Sequence, residues 1–187
     1  MSTIYSIGQM NQLADAFEAA GYTPDDVTKL RSKPKTLKQF KSVLMGTAEV
    51  VIKTHAIDCD VNPYVPNGWK VEEHIKGGKL RWNPDEVELW LADEQKGGVI
   101  EGNKLRKLLK GKPVLNACVL DYLLANPHLI PEEWKSKYVF FWGTIYRHSD
   151  GDLCVRCLGW DGDGWDWSSH WLVSNFSGNS PAVLSCK

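Results

Sequence analysis

Residues 138–173 read YVFFWGTIYR-HSDGD-LCVRCLGW-DGDG-WDWSSHWLV, three apolar, aromatic runs cut by two polar turns. No other stretch limits the fold so tightly. Asp150-Gly151 between two strand-like runs is a strong hairpin signal, and Asp161-Gly162-Asp163-Gly164 marks a second turn. Side chains on a strand alternate between faces. In the third run Trp165, Trp167, Trp171 and Val173 share one face, and Asp166, Ser168 and His170 share the other, a half-buried pattern. In the second run Leu153, Val155 and Cys157 lie opposite Cys154, Arg156, Leu158 and Trp160. The first run is apolar on both faces, as a central strand is. These patterns predict a three-stranded antiparallel meander, with a short fourth strand at 182–184.

Five of the nine tryptophans lie in this block. Each aromatic buries roughly 150–250 Å², so a core with a covering layer is their commoner use. The sharper alternative is an aromatic shelf that stacks on a ligand. Trp160, Trp165, Trp167, Trp171 and His170 are the ligand-binding candidates on that reading.

The remainder supplies helices and short strands. Leu13, Phe17 and Ala20 share a helix face that Gly21 ends; Thr23-Pro24-Asp25-Asp26 starts a second helix; Leu37, Phe40 and Leu44 mark a third, stopped at Gly46. Residues 1–46 therefore read as a small helical segment ahead of an α+β domain at 47–187. Strands are expected at 47–57, 69–75, 79–82 and 87–91, with Gly77-Gly78 as a hairpin turn. Asn103 and Asn116 each suit a helix cap, and Pro131 opens one more turn. The fold class expected is α+β: a tryptophan-rich antiparallel sheet packed by two or three helices.

Charge bounds the partners. Six basic residues and no acid fall between positions 29 and 41: Lys29, Arg31, Lys33, Lys35, Lys38 and Lys41. Such a run can hold phosphates, although a solvated helix face is its usual meaning. A second basic cluster is Lys104, Arg106, Lys107, Lys110 and Lys112, whereas the aromatic block is acidic. The net charge of −1 argues against a wholly electrostatic partner. No leader or spanning run is visible, and five cysteines without a tight framework suit reduced thiols in a cytoplasm.

Catalytic chemistry has little to stand on. Cys154-Val155-Arg156-Cys157 has zinc-knuckle or redox spacing, but on an extended strand an offset of three puts the two sulfurs on opposite faces. Asp161-Gly162-Asp163-Gly164 opens like a calcium loop, yet its twelfth position is Leu172. His170, Asp166, His148 and Ser168 could join a hydrolase-like set only if they converged. No metal, cofactor or catalytic residue is assigned.

The segments NPYVPNGWKVEEHIKGG, IEGNKLRKLLKGKPVLNACVLDYLLANPHLIPEEWK and YVFFWGTIYRHSDGDLCVRCLGWDGDGWDW resemble a recurrent bacterial family met in small uncultivated bacteria and their mobile elements. The resemblance covers about residues 60–187. It implies a stable natural domain and carries no activity and no site residues. The leading expectation is a non-catalytic cytoplasmic binding module for a protein or small molecule at the aromatic sheet. The alternatives are nucleic-acid binding through the lysine-rich helices and a small hydrolase around His170 and Asp166.

Overall fold

The computed structural model describes residues 4–50 and 54–186. The chain forms two compact units, Met1–Lys53 and Thr54–Lys187. The first holds three helices, α1 (Ile7–Ala19), α2 (Pro24–Arg31) and α3 (Pro34–Leu44). Capping boxes start two of them. Ser6 and Gln9 bond each other's backbone N–H at the head of α1, and Thr23 and Asp26 do so at α2. Each box satisfies two amides that the first turn leaves free. Gly21 and Gly46 end α1 and α3 with positive φ. None of the described side chains of this unit is fully buried.

The second unit is α+β. In chain order it contains β1 (Ala56–Asp58), β2 (Lys70–His74), β3 (Lys79–Arg81), β4 (Val87–Trp90), α4 (Asp93–Gly97), β5 (Val99–Glu101), α5 (Gly102–Leu109) and α6 (Ala117–Ala125). The meander follows as β6 (Val139–Arg147), β7 (Leu153–Trp160) and β8 (Trp165–Trp171), then β9 (Asn175–Ser177) and β10 (Ala182–Ser185). The main sheet runs β4-β10-β6-β7-β8, with β2 also paired to β6. Two small ribbons, β1-β3 and β5-β9, stand beside it.

Strand β6 is the spine, buried from Val139 to Tyr146. Its free edge is shared. Phe140 pairs with Ala182 of β10, and Thr144 to Arg147 pair with β2. Between these pairings the chain at 115–116 closes on the strand, where the Gly143 N–H donates to the Leu115 carbonyl over 2.9 Å. A Cβ on Gly143 would lie 2.8–2.9 Å from Asn116 Cβ, Cα and N, so only glycine admits this approach. One face of the sheet packs Val119, Leu120 and Leu123 of α6 against Phe141, Leu158 and Val183. The other packs Leu105 and Leu109 of α5 against Phe140, Trp142, Val155, Cys157 and Phe176.

Three local expectations need correction. Gly77-Gly78 is not a hairpin turn, because β2 pairs with β6 while β3 pairs with β1. Asn103 lies inside α5 rather than capping it; its amide donates to Glu101 over 2.7 Å. The strand predicted at 47–57 is present only as Ala56–Asp58 among the described residues, and positions 51–53 lie outside them. No described helix is long and apolar enough to cross a membrane.

Arg156 on β7 is 1% exposed and ion-paired to Asp121 of α6 at 2.8 Å. Removing one partner of a buried pair strands the other charge, at a cost of about 3 kcal/mol or more, whereas replacing both by apolar groups costs far less. Asp121→Ala should therefore destabilise the second unit by about 3 kcal/mol, and Asp121→Leu with Arg156→Met by clearly less. All nine tryptophans lie in that unit, so urea unfolding followed by their fluorescence measures it alone. Equal losses in the two variants would contradict a desolvated cation at this point.

Candidate functional site

The predicted aromatic surface is the first place to look. Trp160, Trp165, Trp167, Trp171 and His170 are all half-buried. Trp165 and Trp167 pack on the α6 side of the core. Trp171 packs with Tyr146 and Cys154. Trp167 also meets the rings of Tyr64 and Trp69 edge-on, at 6.1 and 6.2 Å. The guanidinium of Arg156 lies 4.5 Å from the Trp167 ring, 5.2 Å from Tyr64 and 5.9 Å from Tyr146. Such an aromatic box is a site for a cation, and here the chain's own arginine fills it. At the far end of β8 the Trp160 and Trp165 rings are 5.4 Å apart, with Lys135 4.1 Å over Trp160.

His170, Asp166 and His148 do not meet. His170 is wedged against Phe140 and Phe176, and its Nε2 lies 3.1 Å from the Asn175 carbonyl. The Asp166 carboxylate accepts the Trp167 N–H. His148 lies 2.9 Å from Asp150 in the turn after β6. The N–H of Asp152 holds the Asp150 carboxyl below its ordinary pKa, and His148 adds to that shift.

A polar group at the split in the sheet was not foreseen. His74, Asn116, Cys118 and Thr144 gather around the Cys59 carbonyl. Cys118 at the start of α6 lies 4.0 Å from His74 Nε2, a pairing that invites comparison with a thiol nucleophile and its base. The hydrogen bonds exclude that role in this arrangement. His74 Nε2 is 3.1 Å from the Cys59 carbonyl, which can only accept, so Nε2 carries the proton. Nδ1 lies 2.8 Å from the Thr144 hydroxyl. The Cys118 thiol donates to the Val61 carbonyl, and burial pushes its pKa up to about 11. The group therefore ties β2, β6 and α6 together.

A cleft of about 390 Å³ opens beside α5. Asn103, Arg106, Lys107 and Lys110 line one side, Glu73 of β2 the other, and Trp142 of β6 also faces it. Arg106 and Glu73 form an ion pair. Trp142 is 4% exposed, and its Nε1–H has no hydrogen-bond partner among the described residues. A buried donor left unpaired costs about 1–3 kcal/mol. Three of the second basic cluster converge here; Lys112 instead lies 4.7 Å over the Trp90 ring. Sequence pattern could not single out Trp142, since both faces of its run are apolar.

In the first unit, Lys29 and Lys33 line a hollow with Tyr22, Leu30 and Phe40. Arg31, Lys35, Lys38 and Lys41 are exposed.

No protein-family model, curated protein or solved structure matches the chain. The residues must therefore carry the functional argument alone.

Four of the five cysteines, Cys59, Cys118, Cys154 and Cys157, are buried, and Cys186 is exposed. Burial raises the thiol pKa to about 11 for Cys59 and about 12 for Cys154 and Cys157. A thiol reagent should modify one cysteine quickly in the native protein and the other four only on unfolding; rapid reaction of two or more would contradict this packing. The sign of the pH effect follows. Above the ordinary thiol value of 9.0 the unfolded chain releases protons that the native chain keeps, so stability should fall as pH rises from about 9 toward 11–12.

Proposed function

We propose that this chain is a non-catalytic binding module whose second unit takes a small molecule in the cleft between α5 and β2. The observation that carries the reading is Trp142, which lines that cleft and whose buried indole N–H has no hydrogen-bond partner among the described residues. Concave sites with a few polar groups set among apolar ones are where small ligands bind. The reading keeps the expected aromatic sheet as the platform but moves the ligand to the opposite face from the Trp165, Trp167 and Trp171 row. Half-burial of that row, and the arginine within its box, support the move. Cytoplasmic placement and membership of a bacterial family of such domains belong to the same proposal and assign no residue a role.

Each tryptophan contributes one indole N–H signal to a proton–nitrogen correlation spectrum, and Trp142→Phe identifies the one at issue. Titration of the full chain with a panel of small uncharged and charged compounds should shift the Trp142 signal saturably with at least one of them, leaving the Trp82 and Trp134 signals in place. A panel that moves no signal, or all alike, would defeat the proposal.

A second reading is nucleic-acid binding by the first unit. It is favoured by the hollow in which Lys29 and Lys33 stand beside the rings of Tyr22 and Phe40. Cations that neutralise phosphates with aromatic faces between them suit a single strand. Affinity for a single-stranded oligonucleotide should fall steeply with salt and be lost in Lys29→Glu with Lys33→Glu. Salt-independent binding, or unchanged binding in that variant, would rule it out.

A further inference from the structure

We propose that the α5–β2 cleft selects a small anion, a carboxylate or a phosphate, which lies against Arg106, Lys107 and Lys110 and offers an oxygen to the Trp142 indole. The inference rests on the binding-module reading above and names the ligand class of that site.

Charge is the first argument. Three cations face one carboxylate in the cleft, so its walls carry a net charge of 3 − 1 = +2. The last turn of α5 carries the negative end of its helix dipole, which basic residues commonly offset, but that end amounts to only about half a charge. Most of the positive charge is therefore left over. Glu73 is already committed to Arg106. Lys107 and Lys110 are exposed and form no ion pair among the described residues. Both line the cleft, Lys107 from the last turn of α5 and Lys110 from the residue that follows the helix.

The unpaired donor is the second argument, and it is independent of the first. The ring of Trp142 is fixed in the core among Phe176 and its neighbours, with ring centres 5.2 Å apart, so the N–H cannot swing away to find water. An indole nitrogen donates and never accepts. A ligand that satisfies it must bring an acceptor, and an anionic oxygen is the strongest acceptor available. Nε1 is shut off from solvent. An incoming anion competes with Glu73 for the Arg106 guanidinium, and a shift of the cleft wall must bring its oxygen to the indole.

The test uses the full chain at low ionic strength, titrated separately with inorganic phosphate, with citrate and with uncharged glycerol. The Trp142 indole signal should shift saturably with phosphate or citrate and not with glycerol, and the tighter of the two anions assigns the source. Lys107→Glu with Lys110→Glu changes exposed side chains only and should weaken that anion by about tenfold or more, whereas Glu73→Gln removes its competitor and should tighten it. Equal shifts with glycerol, or an unchanged titration in the double lysine variant, overturn the anion inference. Should uncharged members of the panel shift Trp142 while neither anion does, the anion inference fails and the binding-module reading stands. If nothing shifts that signal, both fail.

Discussion

The ion pair between Arg156 and Asp121 is the contact on which most of the second unit's geometry depends. A guanidinium removed from water is tolerated only where charge and hydrogen bonds replace hydration. Asp121 supplies the charge from α6, and its second oxygen takes the Tyr64 N–H at 3.0 Å. Tyr146 on β6 donates its hydroxyl to the Tyr64 carbonyl at 3.1 Å. Trp167 on β8 closes the box with its ring face. One buried cation thereby holds a helix, a loop and three strands in register. Its presence also decides what the neighbouring aromatics do. Rings arranged around a resident cation are part of the fold.

The polar group at the split in the sheet works differently. It contains no buried ion pair, and its amide, imidazole, hydroxyl and carbonyl satisfy one another. Asn116 is central, capping α6 through the Cys118 N–H while its amide donates to Cys59 and Ile75 carbonyls. The bare Cα of Gly143 lets it come that close. Because His74 ends β2, the same bonds fix where Glu73 and Ile75 stand, and these form one wall of the cleft. A group that looks catalytic by composition thus serves to place one wall of the cleft.

How far the sequence could be read depends on how local each cause is. The meander was legible because period-two alternation and Asp-Gly turns act within a few residues, and β6 to β8 form as expected. The helix starts at Thr23 and Asn116 were legible for the same reason, since a cap bonds amides two or three positions away. Partner choice between strands is not local. Gly77-Gly78 has hairpin chemistry, yet β2 prefers the open upper edge of β6, which lies some 70 positions downstream. Burial of Arg156 was hidden too, because alternation assigns a residue to a face but does not say what covers it. The basic cluster at 104–112 was visible as a count and not as a shape. The end of α5 at Leu109 and the turn at Gly111 leave Arg106, Lys107 and Lys110 at one cleft and Lys112 over the Trp90 ring.

The two faces of the sheet therefore differ in kind. On the α6 side the cation is inside, ringed by aromatics and neutralised by Asp121, with its Nε left without a hydrogen-bond partner among the described residues. On the α5 side the cations are at the surface and the aromatic donor is inside, with neither satisfied by the other. Trp142 packs its ring in the core while its N–H has no hydrogen-bond partner among the described residues. The proposed anion would bring the acceptor that this donor lacks. That asymmetry, rather than the number of tryptophans, makes the α5 face the one to probe.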